Sequence, residues 1–316
     1  MRIAIYGAGS VGGYFGGCLA RAGHDVVFIA RGEHLRAMQT HGLQVESPTG
    51  EFLITPVQAT DDPSRAGPAD VIILGVKAWQ VPDAALALRP MLGPQTFVVP
   101  LQNGVEAPEQ LAVAIGPSRV VGGLCRIFCM IAGPGHIRRV GPDPTVTVGE
   151  MDRRPSERLE RLRTALEAAG VAAEVTADIH VALWEKFLFL APVSGLGAVT
   201  RAPFGIMRSV PETRHLLLGA IREIEAVGRA RGIALPADAV ERALRAVDAA
   251  PAGGSASMQR DIIAGKPSEL ESQNGAVVRL GRDTGVPTPV NAFIYQALLP
   301  LEMRARGAIP FTPVGA

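Results

Sequence analysis

Short apolar runs alternate with helical stretches in the first half of the chain. The runs at 3–6, 25–29, 71–74 and 96–99 are apolar on both faces and are bounded by Gly, Pro or Asp. This pattern is typical of central strands in a parallel sheet. The small residues of 11–22 predict a helix between the first two strands. Together these elements predict parallel strands joined by right-handed crossovers.

Two stretches depart from this alternation and predict β-hairpins. Residues 43–47 and 51–55 alternate in hydropathy on either side of a Pro-Thr-Gly turn at 48–50. A second hairpin turn is predicted at the Gly-Pro-Gly sequence of 133–135.

After about Asp178 the strands stop and helical periodicity takes over. Pro near most helix starts and Gly near several ends fit helix punctuation. The predicted helices span residues 180–193, 211–231, 236–249, 268–282 and 287–304. We therefore predict an α/β Rossmann domain with a mostly parallel, doubly wound sheet over residues 1–177, and an all-α domain over 178–316.

Composition narrows the class of protein and of partner. The 31 basic and 30 acidic residues form no block of one sign, which argues against binding to nucleic acid or an anionic membrane. No uninterrupted apolar stretch reaches the roughly 18 residues that span a bilayer. The cysteines, Cys18, Cys125 and Cys129, give neither a disulfide framework nor metal-ligand spacing. We expect a cytoplasmic protein without a metal site, as a monomer or a homodimer.

A glycine fingerprint follows the first predicted strand. Its residues are Gly7, Ala8, Gly9, Ser10, Val11 and Gly12. The first glycine permits a tight turn, the second lets the backbone approach a pyrophosphate, and the third allows close packing of helix on strand. The helix N-terminus then presents free N–H groups to the phosphates. The alternative is a tight turn in a sheet that binds nothing, and the strand–turn–helix context favours a dinucleotide site.

The residue at the end of the second strand discriminates between NADPH and NADH, and in this chain that residue is Arg31. A basic residue there accommodates a 2′-phosphate, whereas an acidic residue would bind a ribose 2′-hydroxyl. The sequence therefore predicts NADPH/NADP. Glu33 keeps NADH open, and Arg31 could instead be a solvated side chain.

Polar residues at strand ends and in one helix are candidates for the chemistry. Lys77 and Asn103 each follow a predicted strand, where ligands of Rossmann sheets bind, although Lys77 could equally be an exposed helix-start residue and Asn103 a turn residue. Lys186 lies in a mostly apolar helix, where burial would lower its pKa and suit it to proton donation. It could instead extend to solvent or pair with a carboxylate.

A further polar cluster includes Ser257 and Asp261, followed by Glu269 and Glu271 at a predicted helix start. The two glutamates could simply complement the helix dipole.

These segments, in this order, resemble the ketopantoate reductase (2-dehydropantoate 2-reductase) family over nearly the whole chain. Besides the glycine fingerprint and Arg31, the matches are Val-Lys-Ala-Trp-Gln at 76–80, Asn-Gly at 103–104, Trp-x-Lys at 184–186 and Ser-Met-x-x-Asp at 257–261, with Glu269 eight residues later. The Lys-Ala-Trp-Gln and Ser-Met-x-x-Asp segments are more specific than the glycine fingerprint. The resemblance implies a Rossmann domain and a helical domain that reduce a branched 2-oxo acid with NADPH in pantothenate biosynthesis.

The resemblance also implies roles for individual residues. Lys186 is expected to be the proton donor, and Asn103 is expected at the junction of nicotinamide and substrate. Ser257 is implied as a contact of the substrate carboxylate end, and Lys77 and Arg31 as cofactor contacts. Glu269 is implied to help hold both the cofactor and the catalytic lysine.

One departure concerns the substrate. Family members place asparagines four and eight residues after the lysine, whereas this chain has Leu190 and Ser194. Ser194 remains a candidate substrate contact, but Leu190 cannot form a hydrogen bond, so a bulkier or more apolar 2-oxo acid is the closest alternative substrate. A catalytically silent NADPH-binding protein and another type of two-domain dehydrogenase remain alternatives.

Overall fold

The computed structural model describes residues 1–312 of the chain. Backbone contacts divide it into two compact units. The first, called here the nucleotide unit, contains Met1–Gln102 and Ala107–Ala182. The second, called the helical unit, contains Asn103–Glu106 and Leu183–Ala316. The domain boundary between residues 177 and 178 stays a prediction.

A parallel five-stranded sheet forms the centre of the nucleotide unit, in the order β5-β2-β1-β6-β7. Its strands are β1 (Arg2–Tyr6), β2 (Asp25–Ile29), β5 (Gln58–Thr60), β6 (Ala69–Leu74) and β7 (Leu92–Pro100). Ile3 and Ile5 pack into one hydrophobic cluster, and the alternate residues Ala4 and Tyr6 pack into another. Both faces of the sheet are therefore buried, as the continuous apolar runs predicted. The predicted fold class is confirmed.

A second five-stranded sheet in the same unit is mixed rather than parallel. It contains β3 (Leu43–Ser47), β4 (Gly50–Ile54), β8 (Val121–Gly133), β9 (His136–Glu150) and β10 (Ala172–Val175). The pairs β3–β4 and β8–β9 are antiparallel, so both predicted hairpins are confirmed. The strand β9 also pairs in parallel with β3 and β10, which joins the hairpins into one sheet.

Helices cover the nucleotide unit and build the helical unit. Those of the first half are α1 (Ser10–Arg21), α2 (Gly32–His41), α3 (Pro63–Ala66), α4 (Val81–Ala87), α5 (Ala107–Ile115) and α6 (Glu157–Ala168). Those of the second half are α7 (Ile179–Thr200), α8 (Phe204–Ser209), α9 (Pro211–Ala230), α10 (Ala239–Ala249), α11 (Ser257–Ile263), α12 (Asn274–Thr284) and α13 (Pro289–Ala305). No strand follows β10 within residues 1–312, as predicted.

Two helix predictions were wrong at one end. α7 does not stop at residue 193 but continues through Pro192 to Thr200, and residues 191–198 of this continuation are buried. Burial of this apolar segment outweighs the backbone donor that the proline removes. The helix predicted over 268–282 begins only at Asn274, because the preceding residues form a turn. Glu269 and Glu271 are therefore not first-turn residues of a helix.

α7 is the one helix among residues 1–312 that is long and apolar enough to cross a membrane by length and composition alone. Within the protein, 67% of its most apolar window is buried. This degree of burial is what a core helix of a soluble protein shows.

Candidate active site

The glycine fingerprint forms a turn whose backbone is closely packed on one side and open on the other. A Cβ atom at Gly7 would lie 2.8 Å from the backbone nitrogen of Val76, and one at Gly12 would lie 2.3 Å from the Gly7 carbonyl oxygen. A Cβ at Gly9, in contrast, would meet no atom of the described chain within 4 Å. The first and last glycines thus pack the turn, and the middle one leaves its backbone accessible to a ligand.

The open glycine is also the N-cap of α1. Gly9 has no side chain to cap the helix, and Ser10, the first helical residue, hydrogen-bonds the Cys129 thiol. The first-turn N–H groups carry the positive end of the helix dipole. A pyrophosphate would bind to these groups without displacing a capping side chain, so the turn fits a dinucleotide.

Arg31 lies at the end of β2, at the N-cap of α2, and is exposed. Its guanidinium hydrogen-bonds the hydroxyl of Tyr6, the last residue of β1. Burial raises the pKa of Tyr6, and the neighbouring guanidinium opposes that rise. Arg31 is therefore held beside the carboxyl end of the central strand, with the rest of its surface available to an anion.

Lys77 follows β6 and is half-buried. Its ammonium lies 5.8 Å from the ring centre of Trp79, and its backbone nitrogen donates to Gln80 Oε1 at 3.1 Å. The end of β6 is fixed by the segment that follows β7, because Gln102 Nε2 donates to the carbonyl oxygens of Leu74 (2.8 Å) and Val76 (3.0 Å). This role of Gln102 has no local signal in the sequence, since it depends on the neighbouring strand of the sheet.

Within the helical unit, three predicted residues form a continuous hydrogen-bonded array. Lys186 Nζ donates to Asn103 Oδ1 at 3.0 Å, and Asn103 Nδ2 donates to Glu269 Oε2 at 3.0 Å. An ammonium only donates and an ionised carboxylate only accepts, so the amide of Asn103 has one orientation that satisfies both neighbours. Glu269 is buried, whereas Lys186 and Asn103 are half-buried and can meet a ligand.

The turn that carries Glu269 is fixed by a buried carboxylate on α13. Glu302 accepts hydrogen bonds from the Ser268 backbone nitrogen at 3.0 Å and from its hydroxyl at 2.5 Å. Arg306 Nε also donates to Glu302 at 2.6 Å. The Ser268 hydroxyl oxygen in turn accepts from the Leu270 backbone nitrogen at 3.2 Å. Sequence reasoning missed Glu302, whose only local signal is that it is the single carboxylate of α13.

The remaining predicted substrate contacts lie on two helices of the same unit. Leu190 is half-buried one turn beyond Lys186 on α7. Ser194, a further turn along, is fully buried, and its hydroxyl has no hydrogen-bond partner within residues 1–312. Ser257 is the half-buried first residue of α11. The array of Lys186, Asn103 and Glu269 is thus joined directly, and no hydrogen bond extends it to Ser194.

Family models match both halves of the chain. The model described as "Ketopantoate reductase PanE/ApbA" matches residues 3–153, and "Ketopantoate reductase PanE/ApbA C terminal" matches residues 178–302. The 2-dehydropantoate 2-reductase of Mesorhizobium japonicum is 32% identical over 310 residues, which cover 92% of this chain and 94% of that protein.

Solved structures share the fold along the whole length. A PanE/ApbA family ketopantoate reductase from Ralstonia eutropha JMP134 has a TM-score of 0.89 at 33% identity, covering 97% of this chain and 100% of that one. A D-mandelate dehydrogenase, solved with NADH and anilino(oxo)acetate, has a TM-score of 0.87 at 22% identity, covering 97% and 100%. At that identity the likeness shows a common fold.

A glycine turn of this kind on a parallel Rossmann sheet is the arrangement that binds a dinucleotide, and the family matches assign such chains to the oxidoreductases that use a nicotinamide cofactor. The matches to both halves place the chain within this class. It belongs to the ketopantoate reductase family and is an oxidoreductase of the 2-dehydropantoate 2-reductase type that acts on a CH–OH group.

Proposed function

We propose that this protein reduces 2-dehydropantoate (ketopantoate) to pantoate with NADPH, with Lys186 as the proton donor. The observation that carries the proposal is the array in which Asn103 bridges Lys186 Nζ and the buried carboxylate of Glu269. A carbonyl group that is reduced needs a cation beside its oxygen and then a proton, and a half-buried ammonium provides both.

The residues of the array divide this work. A nicotinamide cofactor, when bound, supplies the hydride. The Lys186 ammonium stabilises the negative charge that develops on the substrate oxygen and then transfers a proton from Nζ. Asn103 directs that ammonium through its Oδ1 atom, and Glu269 fixes the orientation of the Asn103 amide. The hydroxyl of Ser257 is assigned to the carboxylate end of the substrate.

The preference for NADPH rests on Arg31. An exposed guanidinium at the end of β2 can pair with a 2′-phosphate, and it is already oriented by Tyr6. In the Arg31→Ala variant we therefore expect the ratio of kcat/KM for NADPH over NADH to fall about tenfold, the equivalent of about 1.4 kcal/mol. An unchanged ratio would show that Arg31 does not bind the 2′-phosphate of the cofactor.

The proposed function is tested by steady-state oxidation of NADPH with ketopantoate and a panel of other 2-oxo acids. We expect Lys186→Ala to lower kcat by roughly 10²–10⁴-fold, because it removes a general acid. The matched control is Lys266→Ala, which removes an exposed lysine of the same unit. Full turnover by Lys186→Ala would refute the mechanism. NADPH binding by wild type without reduction of any 2-oxo acid would favour a silent binding protein.

A second candidate function is the reduction of a more apolar 2-oxo acid, and Leu190 favours it. This side chain is half-buried one helical turn from Lys186 and presents no hydrogen-bonding group. A buried hydroxyl that loses its partner costs about 1–3 kcal/mol, which is enough to change substrate preference about tenfold.

The Leu190→Asn variant separates the two candidates. If the natural substrate is apolar, we expect its kcat/KM to fall about tenfold relative to that of ketopantoate. The control is Leu216→Asn, at a half-buried position on α9. A wild-type enzyme that already prefers ketopantoate over every apolar 2-oxo acid would reject the second candidate.

A further inference from the structure

The segment Asn103–Glu106, called here the strap, belongs by its contacts to the helical unit although β7 and α5 flank it in sequence. Its first residue is Asn103, which bridges Lys186 and Glu269 in the candidate active site. Its second residue, Gly104, has a φ of +100°, and a Cβ there would lie 2.7 Å from the Ser272 carbonyl oxygen. The strap therefore follows one path against the turn of Glu269, and only glycine suits that path.

The far end of the strap is held by an ion pair. Arg279 of α12 donates from Nη2 to Glu106 Oε2 at 2.9 Å, and the side chains are only 34% and 21% exposed. The same guanidinium pairs through Nη1 with Glu271, whose other carboxylate oxygen accepts from the Tyr295 hydroxyl at 2.7 Å. The ion pair with Glu271 therefore fixes the orientation of the guanidinium that binds Glu106.

We propose that Arg279 is a positioning residue for catalysis, an inference that rests on the function proposed above. Its ion pair with Glu106 holds the strap so that Asn103 Oδ1 keeps accepting the hydrogen bond from Lys186 Nζ. Three peptide units separate Asn103 from Glu106, a reach of roughly 10 Å at most. Anchoring one end of so short a segment restricts the other end. Arg279 itself is assigned no contact with substrate, cofactor or reacting atoms.

Kinetics provide the first test. We expect Arg279→Ala and the near-isosteric Glu106→Gln each to lower kcat about tenfold or more, because misplacement of about 1 Å at a reacting group can cost a hundredfold. The KM for the cofactor should stay within about twofold. Since Arg279 acts through Asn103, adding Arg279→Ala to Asn103→Ala should cause no further loss. Losses that multiply in the double variant would overturn the proposal.

A second test needs no substrate. The chain contains three lysines, Lys77, Lys186 and Lys266, so lysine labelled with ¹³C at Cε gives three assignable NMR signals. In Glu106→Gln and Arg279→Ala we expect the Lys186 signal to move and to titrate at lower pH than in wild type, because the ammonium loses its acceptor. The Lys77 and Lys266 signals should not change.

One control variant separates positioning from general disturbance of α12. Arg282→Ala removes an exposed cation of the same helix, and its partner Asp283 is also exposed. This variant should leave kcat and the Lys186 signal near wild type. If wild type reduces no 2-oxo acid but the Lys186 signal responds as expected, the proposed function fails and the coupling through the strap stands. If Arg279→Ala matches wild type in both readouts, the strap proposal is wrong.

Discussion

The two units build their functional groups in different ways. In the nucleotide unit the candidate ligand contacts are mostly backbone atoms of one turn, contributed by consecutive residues around Gly9. In the helical unit the candidate groups are side chains brought together over sequence separations of 83 and 166 residues. A backbone site is sensitive to any added Cβ atom, whereas a side-chain site is sensitive to the loss of a single polar group.

The largest effect expected from this contrast is at the open glycine. Gly9→Ala places a methyl group where the described chain has no atom within 4 Å, so the fold loses at most about 1 kcal/mol through weaker capping. If a pyrophosphate binds there, the methyl group blocks it, and NADPH affinity should fall tenfold or more, at least about 1.4 kcal/mol. Fluorescence titration with NADPH measures this change.

Gly12→Ala is the matched comparison in the same turn. Its Cβ would lie 2.3 Å from the Gly7 carbonyl oxygen, so the turn must shift, at a cost of about 1–3 kcal/mol. We expect a larger drop in the midpoint of thermal unfolding for this variant than for Gly9→Ala. Equal NADPH affinity for Gly9→Ala and wild type would show that no ligand backbone contact occurs at Gly9.

In the helical unit the corresponding sensitive glycine affects packing rather than a ligand. A Cβ at Gly195 would lie 2.4 Å from Asn274 Oδ1 and 2.5 Å from Ile294 Cγ2. Asn274 cannot easily move, because its Nδ2 donates to Asn291 Oδ1, and Asn291 Nδ2 donates to Glu223. We expect Gly195→Ala to cost about 1–3 kcal/mol, or several degrees in melting temperature, without loss of NADPH affinity.

The control for Gly195→Ala is Gly253→Ala, because a Cβ at Gly253 meets nothing of the described chain within 4 Å. Its melting temperature should match wild type. A Gly195→Ala protein as stable as wild type would show that α7 and α12 can separate at no cost.

The smallest expected effect concerns the thiols, all three of which lie in the nucleotide unit. Burial raises the pKa of Cys129 to about 12 and also raises that of Cys18. Both groups are therefore protonated at neutral pH and should not be alkylated by iodoacetamide in the native protein, as mass spectrometry can verify. The helical unit has no cysteine. Faster labelling of the Gly195→Ala variant would therefore show that a substitution in the helical unit also exposes buried thiols of the nucleotide unit.

Local patterns predicted the elements of the nucleotide unit well because its strands are buried on both faces and its turns carry their own glycines. The run at 25–29 coincides with β2, and the hairpin turn at 133–135 separates β8 from β9. These features depend on neighbours close in sequence.

Sequence reasoning was weaker where distant contacts decide the structure. The turn before α12 is fixed by Glu302, 34 residues beyond Ser268, so the helical pattern over 268–282 was misleading there. The residues of the array were identified through family resemblance, but their connection through Asn103 is visible only in three dimensions. Arg279 and Glu106, 173 residues apart, had no sequence signal at all.

The assignment of four residues near position 103 to the helical unit affects how this protein can be dissected. A gene divided after codon 182 would encode a C-terminal fragment that lacks Asn103, since the polypeptide leaves the nucleotide unit at Gln102 and returns to it at Ala107. If the two halves are co-expressed, residues 103–106 of the N-terminal fragment would have to bind the C-terminal fragment before Lys186 could regain its hydrogen bond to Asn103.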